Sequence, residues 1–268
     1  AVQTLTLAMD MRKELIGEAL INVLKPKSIV LRNDSPVRKA EGMEPGIDML
    51  FGENPGPFAI SGNGMEFEVD LLDGQKTGLY LDQLQSHAEV AELARGKRVL
   101  DCFTNQGGFA LACAKAGAAK VTAVDVSAGA CEAARCNAKR NGLGMEVIEH
   151  NVFDFLKHAT PEYDLIILDP PSFTKNKKTL MDAMRGYKEI HLRSLKLLDK
   201  GGVLSTFCCS HHASRELFLE NLADAAVDAK KSLRLLREHG QRADHPILVT
   251  IPETGYLKGF TSEVIASR

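Results

Sequence analysis

Residues 99–108, Val-Leu-Asp-Cys-Phe-Thr-Asn-Gln-Gly-Gly, decide how the chain is read, and residues 121–125, Val-Thr-Ala-Val-Asp, complete the pattern. The first stretch predicts a short apolar strand ending at Asp101, a glycine-bearing turn and an Ala-rich helix over 109–116. The second predicts a strand ending on Asp125. Together they make half of a nucleotide-type βαβ unit. In a parallel α/β sheet, ligands lie at the carboxyl ends of the strands near the switch point, and an acid ending the second strand can bind a pair of ribose hydroxyls. Asp125 has that position, with Val126 next to it. Gly107 and Gly108 let the backbone pass close to a ligand where a Cβ would collide. The turn is not G-x-G-x-x-G, so a dinucleotide pyrophosphate is poorly provided for. A nucleoside cofactor without phosphates, such as S-adenosylmethionine (SAM), fits better.

Composition sets the limits. The chain has 268 residues, 44% of them hydrophobic, enough for one large or two modest domains with a proper core. A net charge of −2 excludes a global basic field, so a nucleic-acid partner must be met by a local patch. The cysteines at 102, 113, 131, 136, 208 and 209 contain no C-x-x-C pair and fall mostly in apolar or Ala-rich segments, which predicts a reduced, cytoplasmic chain. No run reaches eighteen apolar residues, and no charged leader precedes an apolar core, so neither a membrane span nor export is expected.

The sequence starts at Ala1 in a strand-like run, 1–7, which suggests that something upstream is missing. Helical spacing over 9–24 stops at Pro26, a short strand is expected at 28–31, and the Gly62-Asn-Gly64 turn predicts a hairpin within 51–71. These elements form a small α/β domain over 1–73. The polar stretch 74–83, Gly-Gln-Lys-Thr-Gly-Leu-Tyr-Leu-Asp-Gln, reads either as a linker or as a loop folded onto the domain at 74–268. Within that domain helices are expected at 87–95, 128–141, 153–158, 180–198 and 214–229, alternating with strands at 145–149, 164–169 and 202–207. Strands at 247–251 and 259–264 should then form an antiparallel edge hairpin on a parallel sheet.

Three segments could carry chemistry. Asp169-Pro-Pro-Ser-Phe follows a strong apolar strand, so its acid and its carbonyls sit at the ligand edge. Cys208-Cys209-Ser-His-His follows the next strand; adjacent residues cannot wrap a metal tetrahedron, so no metal is expected. Cys209 is instead a candidate nucleophile near Asp169, against the alternative of two buried thiols. Residues 174–200 hold eight Lys or Arg (175, 177, 178, 185, 188, 193, 196, 200) against three acids, and read equally as a basic rim for a phosphate backbone or as a solvated helix face.

At this point the motifs GQKTGLYLDQ, VLDCFTNQGGFAL, VTAVDVS, LIILDPPSF, RGYKEI, FCCS and ADHPILVTIPETGYLKGF, in that order, resemble the class I SAM-dependent RNA methyltransferases related to the large-subunit ribosomal RNA cytosine-C5 methyltransferases. The likeness spans the chain and is densest from residue 74. It implies a Rossmann-like methyltransferase domain after the small domain, without the PUA-type domain the family carries at its N-terminus. It implies Asp101, Phe103 and Gly107 around the methionine end of SAM, Asp125 on the ribose, and Asn151 and Val152 at the adenine, where the family more often has Asp. Asp169 would serve SAM or the target base, and Cys209 would be the nucleophile. Leu84-Gln-Ser-His87 departs from the Arg-rich sequence usual after Asp-Gln. The implied partner is protein-free or early-assembly 23S ribosomal RNA, with a homodimer left open. Cytosine C5 methylation through a Cys209 adduct is the leading expectation. Methylation of an exocyclic amine such as guanine N2, and a non-catalytic RNA-binding or assembly factor, are the alternatives.

Overall fold

A fully buried apolar strand, Leu165–Leu168, lies at the centre of the sheet on which the larger part of the molecule is built. The structure, a computed structural model, describes residues 1–74, 78–174 and 177–267. The chain divides into two compact units, 1–61 with 66–80, and 62–65 with 81–268.

In the first unit the expected opening strand is not formed. Residues 1–6 run extended beside one strand, with Val2 N donating to Val30 O and Arg32 N to Val2 O, both at 2.8 Å. The single helix expected over 9–24 is split into α1 (Leu7–Asp10) and α2 (Lys13–Leu24). The buried Arg38 guanidinium draws on Asp10 at 2.9 Å and on the carbonyl of Thr4, tying the end of α1 to the loop that follows β1. Strand β1 (Ile29–Asn33) pairs antiparallel with β2 (Gly46–Phe51), a strand the sequence pattern does not announce. Strands β3 (Phe58–Gly62) and β4 (Met65–Val69) form the expected hairpin around Asn63-Gly64, both at positive φ.

In the second unit α3 (Leu84–Ala91) precedes β5 (Arg98–Cys102), α4 (Gly108–Lys115), β6 (Lys120–Asp125), α5 (Ala128–Arg140), β7 (Glu146–Glu149) and α6 (Val152–His158). Then come β8 (Leu165–Leu168), α7 (Leu180–Lys196), β9 (Val203–Cys208), α8 (Arg215–Asp228), β10 (Lys231–His239) and β11 (Lys258–Ser267). The seven-stranded order is β10-β11-β9-β8-β5-β6-β7, parallel from β9 to β7. The direction of winding reverses between β5 and β8, which makes their carboxyl ends the place for a ligand. Alternate residues of each strand feed opposite cores. Leu100, Cys102, Ile166, Leu168, Leu204 and Cys208 pack toward α6, α7 and α8, whereas Val99, Leu165, Ile167, Val203 and Phe207 pack with Phe109, Ala110 and Cys113 of α4.

The antiparallel edge exists, but its partners differ from expectation. β11 pairs with β9 and with β10, whose sequence Lys-Ser-Leu-Arg-Leu-Leu-Arg-Glu-His was not read as a strand. Residues 247–251 carry only an isolated bridge between Leu248 and Ile251. Their apolar side chains are exposed, Val249 at 96%, so apolar composition there reflects no buried strand.

Candidate active site

The turn after β5 is shaped by its own backbone. Phe103, Asn105 and Gly107 take positive φ of 63°, 50° and 85°, and the turn closes with Gly107 N donating to Thr104 O at 2.8 Å. It is fixed to the neighbouring strand by Thr104 N on Val124 O at 3.1 Å and by Asn105 N on Asp125 Oδ2 at 3.0 Å. Asp101, 1% exposed, accepts through Oδ2 from Thr104 Oγ1 at 2.6 Å and from Ala110 N, in the first turn of α4, at 3.0 Å. Burial pushes this carboxyl up to about 7, against the pull of those two donors. Its Oδ1 is buried with no hydrogen-bond partner among the described residues.

The glycines answer to the protein itself. A Cβ on Gly108 would lie 2.4 Å from His87 Cε1, and one on Gly107 would meet Met145 Cε at 3.2 Å and Ala134 Cβ at 3.4 Å in a backbone conformation L residues rarely adopt. The His87 ring of α3 thus leaves no room for a Cβ at 108, and the left-handed backbone favours glycine at 107. His87, fully buried and edge-on to Phe109 at 4.4 Å, has its pKa pushed down to about 4 by loss of water and stays a neutral ring. That packing role is what Leu84-Gln-Ser-His87 serves here.

Asp125 accepts from Ser127 N at 2.9 Å through Oδ1, besides Asn105 N through Oδ2, and a carboxylate has acceptor capacity beyond two bonds. Val126 beside it is 65% exposed. Asn151 Oδ1 is used as the N-cap of α6, accepting from Asp154 N at 3.2 Å, and an amide oxygen keeps a second lone pair for a further donor. The Val152 side chain is buried in the core, leaving its backbone for any contact at that edge. An unpartnered buried acceptor, an acid with spare acceptor capacity and an exposed apolar residue, with no basic side chain in 101–108, fit a nucleoside bearing an ammonium group and no phosphate.

The other half of the site lies where β8 and β9 end. Leu168 is in register with Thr206, so Asp169 and Cys209 leave adjacent parallel strands at one edge. Cys208, the last residue of β9, is fully buried in the core, while Cys209 just beyond the strand is half-buried, so of the two residues only the second reaches the surface at this edge. Phe173 of the Asp169-Pro-Pro loop meets Phe103 edge-on at 6.3 Å, which joins the two halves. Asp169 Oδ1 accepts from Gln83 Nε2 at 3.1 Å. Sequence reasoning missed Gln83, together with Asp82, whose Oδ2 accepts from the Tyr256 hydroxyl at 2.7 Å. The signal was present in Leu-Asp-Gln and in Thr-Gly-Tyr-Leu-Lys, but no local pattern ties a residue to a partner 174 positions away.

The basic window is largely neutralised on α7. Arg185 pairs with Asp182 at 2.8 Å, Lys188 with Asp228 at 2.9 Å, and Arg193 with Glu189. Lys175 of that window, and residues 75–77 of the earlier polar stretch, lie outside the described residues. His211 Nδ1 lies 3.2 Å from Glu253 O, and α8 is capped by Ser214 rather than by either histidine. Among the described residues no group of three or more His, Cys, Asp or Glu is placed to hold a metal ion, and no helix is long and apolar enough to cross a membrane.

Residues 39–245 match the model of a family described as S-adenosylmethionine-dependent methyltransferase. The chain is 40% identical over 270 residues to Ribosomal RNA large subunit methyltransferase I of Photobacterium profundum, covering 98% of this chain and 68% of that one. It is 40% identical over 271 residues to the protein of the same name from Klebsiella pneumoniae, again covering 98% and 68%. The chain thus spans about two thirds of the length of these curated relatives. Among solved structures, that of a candidate methyltransferase, SMU.776, complexed with SAH superposes with a TM-score of 0.81 at 26% identity, covering 97% of this chain and 67% of that one. With this sheet order, this switch point and these relatives, the chain belongs to the S-adenosylmethionine-dependent methyltransferase family, and SAM is its cofactor.

Proposed function

We propose that the protein methylates carbon 5 of a cytosine in large-subunit ribosomal RNA through a covalent adduct with Cys209. The observation that carries the reading is the contrast at the end of β9, where Cys208 is buried and Cys209 half-exposed beside the strand that delivers Asp169. The names of the curated relatives supply the ribosomal RNA. In this reading the unit at 1–73 contacts RNA, the substrate is protein-free or early-assembly 23S RNA in the cytoplasm, and a homodimer is a compatible assembly.

Asp101, Phe103, Gly107 and Gly108 hold the amino-acid end of SAM, Asp125 and Val126 the ribose side, and Asn151 and Val152 the adenine edge, with Asp169 between cofactor and base. Bound SAM supplies an electrophilic methyl group. Cytosine C5 is a poor nucleophile, so Cys209 as thiolate adds to C6, forming an S–C6 bond and moving the C5–C6 electron pair onto C5. Asp169, as the neutral acid, donates its proton to N3, so that the ring carries no negative charge there, and takes that proton back when the adduct collapses. Once C5 carries the methyl group, a base removes its proton, the C–H pair restores the double bond, and the S–C6 bond breaks to return the thiolate.

Transfer of labelled methyl from SAM to unmodified, protein-free 23S RNA, followed by nucleoside analysis, tests the reading. Label in 5-methylcytidine that disappears in Cys209→Ala supports it. Label in another nucleoside, or activity surviving the substitution, contradicts it in favour of an exocyclic amine target. SAM and RNA binding without any transfer contradicts it in favour of a non-catalytic factor.

A further inference from the structure

We infer that Tyr256 is a positioning residue whose hydroxyl, through Asp82 and Gln83, sets the distance between the Cys209 loop and Asp169. The inference rests on the reading of Cys209 as nucleophile and Asp169 as acid. Four bonds define a path from one to the other. Gln83 Nε2 donates to Asp169 Oδ1 at 3.1 Å, and its neighbour Asp82 accepts from the Tyr256 hydroxyl at 2.7 Å. The Lys258 ammonium then joins Tyr256 O at 3.0 Å to Ser210 O at 2.7 Å, one residue beyond Cys209. The His211 ring lies 5.6 Å from the Tyr256 ring, so the loop after β9 meets the same residue twice.

Each end of the path is stiff. Asp82 and Gln83 are 4% and 3% exposed, and Asp82 O also accepts from Arg242 N at 3.1 Å. The Gln241 carboxamide braces the segment that carries the tyrosine, donating to Thr254 O at 2.6 Å and accepting from Tyr256 N at 3.1 Å. Burial and the Asp82 carboxylate raise the Tyr256 pKa, so the phenol keeps its proton and remains a donor. Two loops that leave paired strands are thereby linked beyond the strand ends as well, by side-chain bonds between braced segments. Neither loop has a regular element of its own to do this, since residues 209–214 follow the end of β9 and residues 169–174 follow β8.

The test compares Tyr256→Phe, Gln83→Leu, their combination and Cys209→Ala, each assayed for methyl transfer to unmodified 23S RNA and for SAM binding by calorimetry. Loss of alignment predicts a kcat about 10²-fold lower in each of the two single positioning variants, with the KM for RNA and the Kd for SAM unchanged. The combination should be no slower than the slower single variant, because both act on one path. Asp82→Asn, the same shape with a weaker acceptor, gives an intermediate loss and serves if Tyr256→Phe does not fold. Wild-type kcat in Tyr256→Phe, or a double variant whose losses multiply, overturns the path while leaving the Cys209 reading intact if Cys209→Ala is inactive. Full activity in Cys209→Ala overturns both.

Discussion

The turn after β5 and the turn after β9 are built on different physics. Residues 103–107 are held by main-chain donors, by positive-φ backbone and by one buried carboxyl three residues from its partner, all within the βαβ unit. Residues 209–212 are held by groups from far along the chain, the Lys258 ammonium on Ser210 O and the Glu253 main-chain carbonyl 3.2 Å from His211 Nδ1. The turn after β5 is thus a local property of the fold, whereas the turn after β9 depends on long-range assembly. Changes in the first should alter stability and cofactor binding together, and changes in the second should alter turnover with little effect on either.

The largest expected effect lies in the second half. Cys209→Ala should lower methyl transfer by at least about 10⁴-fold while SAM affinity holds. Its neighbour supplies the contrast: Cys208→Ala removes a fully buried sulfur and should cost about 1 kcal/mol of stability, read by denaturant unfolding, with turnover retained. Equal loss of activity in both variants would break the distinction between core thiol and edge thiol.

Next comes Asp101, in the first half. Its carboxyl ionises at 3.8 when free but near 7 when folded. Its protonation therefore favours the fold fully below about pH 4, and that contribution is lost as pH rises to 7, an effect on the order of 4 kcal/mol. Asp101→Asn keeps an oxygen for Thr104 and Ala110, so it should flatten stability between pH 4 and pH 7 and raise it at pH 8. If Oδ1 receives the SAM ammonium, the same variant binds SAM about 10- to 100-fold more weakly by calorimetry. A smaller effect is expected at Gly108→Ala, whose Cβ must displace the buried His87 ring: about 1–3 kcal/mol by thermal unfolding, recovered in part when His87→Ala is added. The smallest is Asp164→Asn. Arg98 holds that carboxyl down to about 2, but the pair is 50% and 38% exposed, so the loss should stay below about 1 kcal/mol, present above pH 4 and vanishing toward pH 2.

The same contrast explains what could be read from the sequence. Residues 99–125 announced strand, turn, helix and strand because parallel strands buried on both faces are continuous apolar runs, and because acids and glycines mark their ends. The DPP and CCS segments were legible for the same reason, each following such a run. β10 was not: its Leu-Arg-Leu-Leu-Arg pattern has neither clean alternation nor a turn signal, and it becomes a strand only by pairing with β11. The reverse error at 247–251 came from apolar residues that stay at the surface. Asp82, Gln83 and Tyr256 were illegible as site residues because their partners lie 86 and 174 positions away. The glycines of the β5 turn were located by the pattern, and besides any ligand they answer to the protein itself: the His87 ring crowds position 108 and a positive φ favours glycine at 107.

The central claim is that Cys209 bonds to the target base. It is tested most directly by incubating the protein and SAM with 23S RNA containing 5-fluorocytidine, whose C5 fluorine cannot leave as a proton, and mapping the product by mass spectrometry. The account predicts an accumulating protein–RNA adduct on the peptide that carries Cys209, at that residue and absent from Cys209→Ala. Methyl transfer to ordinary RNA with no adduct on the fluorinated RNA, or an adduct on Cys208, would contradict it.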